Sequence, residues 1–258
     1  MTLGGKLVIT LAALLGTALA TATCTTDFVP LSATPTGDEV LSNARRAARD
    51  LNSYVAVRTT VEATVFPQAP AQNVLETRAD TFEVESADRY RVDQPAYDSE
   101  IVSHGKIVYS RYGTGEWEQS PRTTVIDGDF LLPGEEERAP AHPINWLDER
   151  SIVNPRYVNE VELAGKQVHV VSAQIPMLPT AGEFADEFPV DELVFFIDAE
   201  SFQVLRIEVD LNIRDSLRED TGYQVIPGVV EIETVEIYKY SRHNEGISIP
   251  VPTLAPGA

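Results

Sequence analysis

A single cysteine in 258 residues leaves no partner for a disulfide, so no cystine framework holds this chain. The histidines, His104, His142, His169 and His243, fall neither at i, i+4 nor at HxH spacing, and no zinc pattern results. Asp127-Gly128-Asp129 offers two calcium ligands, but the other positions of an EF-hand loop do not follow, and the stretch reads as a turn. A GxSxG elbow and a phosphate-cradling glycine loop are both missing, which removes the starting residues of hydrolase and nucleotide chemistry. Cations are scarce as well: 20 Lys and Arg stand against 40 Asp and Glu, a formal charge of -20. So acidic a surface repels phosphate backbones, and the basic stripe of a nucleic-acid binder is absent. Glu135 to Glu137 reads as a solvated charge run. In a chain this rich in carboxylates, no chosen pair points to general acid–base work. The expectation is a non-enzyme with no catalytic residue, no metal, no cofactor and no nucleic-acid partner.

Long apolar runs are also missing, with one exception. Lys6 precedes Leu7 to Ala20, a stretch broken only by Thr10, Gly16 and Thr17. A cation followed by an apolar run of this length is an export signal rather than a membrane-spanning helix. Cleavage after Ala20 or Ala22 releases a soluble, secreted protein. Alternatively, Thr21-Ala22-Thr23-Cys24 resembles a bacterial lipobox, although Thr21 and Thr23 depart from its usual aliphatic and small residues. That resemblance makes residues 1–23 a signal peptide and Cys24 a lipid-anchor site on the extracytoplasmic side of the cell membrane. Either way a flexible tether, 24–37, follows.

Thr36 and Glu39 stand at capping-box spacing, and Leu41, Ala44, Ala48 and Leu51 share one helical face, predicting a helix over 37–51. At Tyr54 the period changes to two. Val55, Val57, Thr59, Val61, Ala63 and Val65 face one way, with Arg58, Thr60, Glu62 and Thr64 opposite, as in a long half-buried strand. Short strands separated by turn residues continue to about residue 120, without helical interruption, so the connections are hairpins. Residues 124–152 form a loop with one or two helical turns. From "RYVNEVELAG" the strands resume and close with "GVVEIETVEIYKYS", where a bulge is expected near Thr234-Val235. The proline-rich end, 243–258, is expected to be a disordered tail.

Helix, long strand and "HGKIVYSRYGTGEWEQSP" together resemble exported lipid-handling lipoproteins, the superfamily of outer-membrane lipoprotein carriers and receptors. The resemblance is nearest to mycobacterial-type cell-envelope lipoproteins that share its half-barrel. "VELAGKQVHVVSAQIP" and "LVFFIDAESFQVLRIEV" match hairpins of that group. It implies a mainly β (α+β) fold over 38–242: a single curved antiparallel sheet, a half-barrel, with a few covering helices. The implied role is to hold or carry a lipid, acyl chain or lipoprotein in the cell envelope. An apolar cavity under such a sheet would be lined by Val57, Val61, Ile107, Phe195, Leu205, Ile207 and Val209. Leu131, Trp146, Met177 and Leu178 would stand at its mouth. The expected partners are a lipid ligand, the membrane through a lipidated Cys24, and another envelope protein. The alternative is a non-catalytic regulatory or structural module with a filled core, acting through protein contacts.

Overall fold

The computed structural model describes residues 34–65, 70–122, 139–147, 152–175, 190–214 and 231–255. The predicted signal peptide, Cys24 and most of the tether lie outside them. Residues 35–258 fall in one compact unit.

Thr36 opens the first helix through the capping box that its spacing to Glu39 predicts. The Glu39 N–H donates to Thr36 Oγ1 at 3.2 Å, and the Thr36 N–H donates to Glu39 Oε2 at 2.8 Å. Helix α1 runs Gly37–Arg49, with Asp38 and Glu39 in its first turn and Arg46 and Arg49 in its last, complementing the helix dipole. Val40, Leu41, Ala44 and Ala48 form its buried stripe. Gly37 sits against the strand that carries Pro155: a Cβ there would lie 2.8 Å from the Pro155 carbonyl atoms and 2.9 Å from Arg156 N. Alanine is the better helix former, yet Gly37→Ala should lower stability by about 1–3 kcal/mol, because the neighbour is backbone and cannot turn aside. A urea midpoint unchanged from the parent would show that α1 can slide.

Eleven strands follow: β1 (Tyr54–Val65), β2 (Val74–Ser86), β3 (Arg89–Gln94), β4 (Ser99–His104), β5 (Ile107–Tyr112), β6 (Glu118–Pro121), β7 (Val153–Leu163), β8 (Lys166–Ile175), β9 (Val190–Asp198), β10 (Val204–Arg214) and β11 (Glu231–Ser241). A short helix, α2 (Pro143–Trp146), lies between β6 and β7. All pairings are antiparallel, in one open sheet of order β6-β5-β4-β3-β2-β1-β11-β10-β9-β8-β7. The first and last strands therefore meet at the centre. β6 and β7, consecutive in the chain, lie at opposite edges, and α2 falls between them in the sequence.

Strand parity gives the sheet an inner face, which carries the main core with α1 and α2, and an outer face. Tyr54 and Ala56 of β1, Phe82 and Val84 of β2, Tyr90 and Val92 of β3, and Tyr238 and Tyr240 of β11 are buried in the main core. The expected bulge at Thr234-Val235 is absent: β11 pairs through those residues without a shift on both sides. Irregularities fall instead on other pairs, between Val84 and Ser86, Val204 and Arg206, Asp210 and Leu211, and along the β7–β8–β9 ladders.

The C-terminal residues correct the expectation of a disordered tail. Ile247 and Ile249 are 9% and 5% exposed, and they cluster with Val102 and Tyr109 on the outer face, beside Val55, Trp117 and Leu254. The Ile249 N–H donates to Glu85 Oε2 at 2.9 Å, the Ser53 hydroxyl donates to Glu245 O at 2.7 Å, and the Asn244 N–H donates to Ser53 O at 2.7 Å. Prolines suit an extended chain that needs no ladder. Alternating Ile-Ser-Ile supplies one apolar side to lay on the sheet.

The β9–β10 turn is organised by Asp198, 5% exposed. Its Oδ1 accepts the N–H groups of Glu200 and Ser201 at 3.0 and 2.8 Å, and its Oδ2 accepts Lys166 Nζ at 2.9 Å. Burial pushes the carboxyl up, but these hydrogen bonds outweigh it and hold it at about 2. A depressed pKa gives stability that is complete above the unfolded value near 3.8 and is lost as pH falls through about 2. Asp198→Asn should therefore cost about 1–2 kcal/mol at pH 7. Chemical denaturation of both proteins should show that gap closing between pH 4 and pH 2; a constant gap would remove the charge from the explanation.

Candidate functional site

Two rows of paired residues cross the inner face. One reads Val171, Phe195, Ile207, Tyr238, Arg58, Asp80 from β8 to β2. The next reads Ala173, Leu193, Val209, Glu236, Thr60, Arg78. Each row is apolar on β8, β9 and β10 and polar on β1 and β2, and it changes character at β11. Leu193, Phe195, Ile207 and Val209 are fully buried. The inner face is thus a floor with an apolar side and a small charged side.

Residues 139–147 are pinned over the end of this floor nearest α1. Arg45 Nε donates to Leu147 O at 2.6 Å, and the Tyr54 hydroxyl donates to Pro140 O at 2.8 Å. His142 caps α2: its Nδ1 accepts the Ile144 N–H at 3.2 Å, which leaves Nε2 to donate to Leu51 O at 3.3 Å. The Trp146 ring packs 5.6 Å from that of Tyr238. Beneath the last turn of α1 a cavity of about 270 Å³ remains, lined by Ala48, Leu51, Val84, Ala139, His142 and Ile144 among others.

On the polar side, Asp80 is 1% exposed and Thr60 3%. Arg58 holds Asp80 Oδ2 through Nε at 3.1 Å and Nη2 at 2.7 Å, with its guanidinium 5.6 Å above the Phe82 ring. The Tyr238 hydroxyl donates to Glu236 Oε2 at 2.7 Å. Burial, then the Glu236 carboxylate, push that hydroxyl well above the ordinary tyrosine value, so it stays a donor. Among the described residues no group of three or more His, Cys, Asp or Glu is placed to hold a metal.

The structure divides the residues expected to line one cavity. Phe195, Ile207 and Val209 share the apolar floor, and Trp146 packs over it in the same core cluster. Val57 and Val61 do not join them: they alternate with Ala56, Arg58 and Thr60 and so lie on the outer face, partly exposed. Their period-two pattern was real, but alternation does not say which side is inner, and Tyr54 and Ala56 took that side. Ile107 also misses the floor; it shares the parity of outer-face Tyr109 and is 41% exposed. Leu205 falls in the register shift between Val204 and Arg206, partly exposed. Leu131, Met177 and Leu178 lie outside the described residues. The polar group of Arg58, Asp80, Glu236 and Tyr238 was not foreseen. Its sequence signal was weak: one strand with charges on its less apolar side.

Solved structures with a similar chain path include LprF from Mycobacterium bovis, 16% identical with a TM-score of 0.49, covering 84% of this chain and 96% of that one. The lipoprotein LppX from Mycobacterium tuberculosis is 10% identical with a TM-score of 0.46, covering 82% and 98%. A LolA superfamily protein from Nitrosomonas europaea is 10% identical at 0.30, covering 81% and 92%. At such identities and scores the likeness carries no ligand or activity across to this chain. No protein-family model and no curated protein matches it.

Proposed function

We propose that this chain is an exported cell-envelope protein, anchored through a lipid on Cys24, that holds a lipid or acyl chain against the apolar inner face without catalysis or a cofactor. The observation that carries the reading is the open sheet itself. Its apolar floor, with Phe195, Ile207 and Val209 fully buried, is covered among the described helices by only 13- and four-residue segments. A sheet must bury its apolar face, and an apolar floor of this kind suits an apolar ligand that takes the place of part of its cover. Burying a dozen methylenes supplies roughly 8 to 10 kcal/mol before the costs of association, ample for a reversible carrier. Trp146, Phe195, Ile207 and Val209 are the residues proposed to touch the chain, with Leu131, Met177 and Leu178 at the mouth.

A second reading, a filled regulatory or structural module working through protein contacts, is favoured by the floor itself, where Leu193, Phe195, Ile207 and Val209 are each 0% exposed. Organic extraction of the purified protein followed by mass spectrometry separates the two. Co-purifying lipid supports the carrier; a ligand-free protein that unfolds in one sharp transition supports the module. For the anchor, expression of the whole chain in a bacterial host should give a membrane-bound form whose mass includes a diacylglyceryl group, both lost in Cys24→Ser. A soluble product cleaved after Ala20 or Ala22 would leave a secreted protein instead.

A further inference from the structure

We infer that Asp80 forms a polar subsite at the end of the acyl-binding floor, where its buried Oδ1 receives an O–H or N–H donor from the headgroup of a bound lipid. The inference rests on the acyl-binding reading above. Asp80 projects from β2 on the same face as Phe82 and Val84, with its side chain 2% exposed. Arg58 occupies Oδ2 alone. Oδ1 is buried and accepts no hydrogen bond. An ionised carboxylate offers about four acceptor positions, and a buried charged oxygen without a donor is a costly thing to keep. Tyr238, in the same row beyond Arg58, does not serve it, because its hydroxyl is committed to Glu236.

What kind of donor fits follows from the surroundings. On this side of the inner face Glu62, Glu76, Asp80 and Glu236 outnumber Arg58 and Arg78. That balance disfavours a phosphate and favours a neutral hydroxyl or an ammonium. The position also fits a lipid lying across the rows. Asp80 is three strands from Ile207 along one row, roughly 14 Å at ordinary strand spacing, so one extended molecule can set its chain on β9 and β10 and its headgroup at β2.

The test is competition against a fluorescent fatty-acyl probe on the purified protein, with four ligands of one chain length: monooleoylglycerol, oleylamine, methyl oleate and oleoyl-lysophosphatidic acid. Methyl oleate has the same chain but no donor. Monooleoylglycerol or oleylamine should bind at least tenfold tighter than methyl oleate, with the phosphate-bearing ligand weaker than both, and the better of the first two identifies the donor as hydroxyl or ammonium. In Arg58→Met/Asp80→Leu that preference should fall below threefold while methyl oleate affinity is kept. Equal binding of all donors and methyl oleate by the parent protein overturns the subsite and leaves acyl binding standing. Displacement by none of the four overturns both. A preference that survives in the folded double variant overturns the role of Asp80. The ligand series on the parent protein decides the matter even where the variant does not fold.

Discussion

Phe195→Ala should lower the unfolding free energy by about 3 to 5 kcal/mol and the melting temperature by on the order of 10 °C. Phe195 is fully buried at the middle of β9, paired with Val171 on one side and Ile207 on the other. Its backbone is held by ladders to both neighbours, so the sheet cannot close over the space a lost ring leaves. The full transfer and cavity costs should therefore appear. Ile107→Ala makes the contrast. That side chain is 41% exposed on the outer face, and its truncation should change stability by less than about 0.5 kcal/mol. Urea unfolding of the three proteins checks both numbers. A loss below about 1 kcal/mol at Phe195 would mean that the floor at β9 is loosely covered in solution.

The same pair of residues shows what could and could not be read in the chain. Period-two runs, tight turns and the Thr36–Glu39 box were sufficient for α1, for the hairpins and for one mainly β unit, because local geometry governs each of them. The inner side of a strand depends instead on what packs against it. β1 carries valines on one side and Tyr54, Ala56, Arg58 and Thr60 on the other; the valine side looks more buried, yet the helices cover the other. β10 is less ambiguous, since Ile207 and Val209 alternate with Arg206 and Glu208 and are buried, although Leu205 falls at a register shift and is partly exposed. The charged corner of the floor was illegible for a different reason. Arg58 meets Asp80 only in one hairpin register, and the span 66–73 between the two strands permits several. The tail reads as unpacked because its prolines are a stronger local signal than the two-residue spacing of Ile247 and Ile249 that lays it on the sheet.

Arg58→Met should be among the most damaging single changes in the molecule, costing about 3–5 kcal/mol. It removes both hydrogen bonds to Asp80 Oδ2 and leaves a carboxylate that is 1% exposed with neither oxygen served, since Oδ1 already has no donor. The contact of the guanidinium with the Phe82 ring goes with it. Arg58→Met/Asp80→Leu should recover most of the loss and come within about 1–2 kcal/mol of the parent, because a buried ion pair replaced by apolar groups of similar size loses its desolvation cost along with its attraction. Urea midpoints at pH 7 for the parent, the single and the double variant give both differences. A single-variant loss below about 1 kcal/mol would show that water reaches Asp80 in solution. If instead the double variant matches the parent, the pair contributes little to holding the sheet together. Its place between an apolar floor and an unserved carboxylate oxygen then agrees with the proposed headgroup subsite.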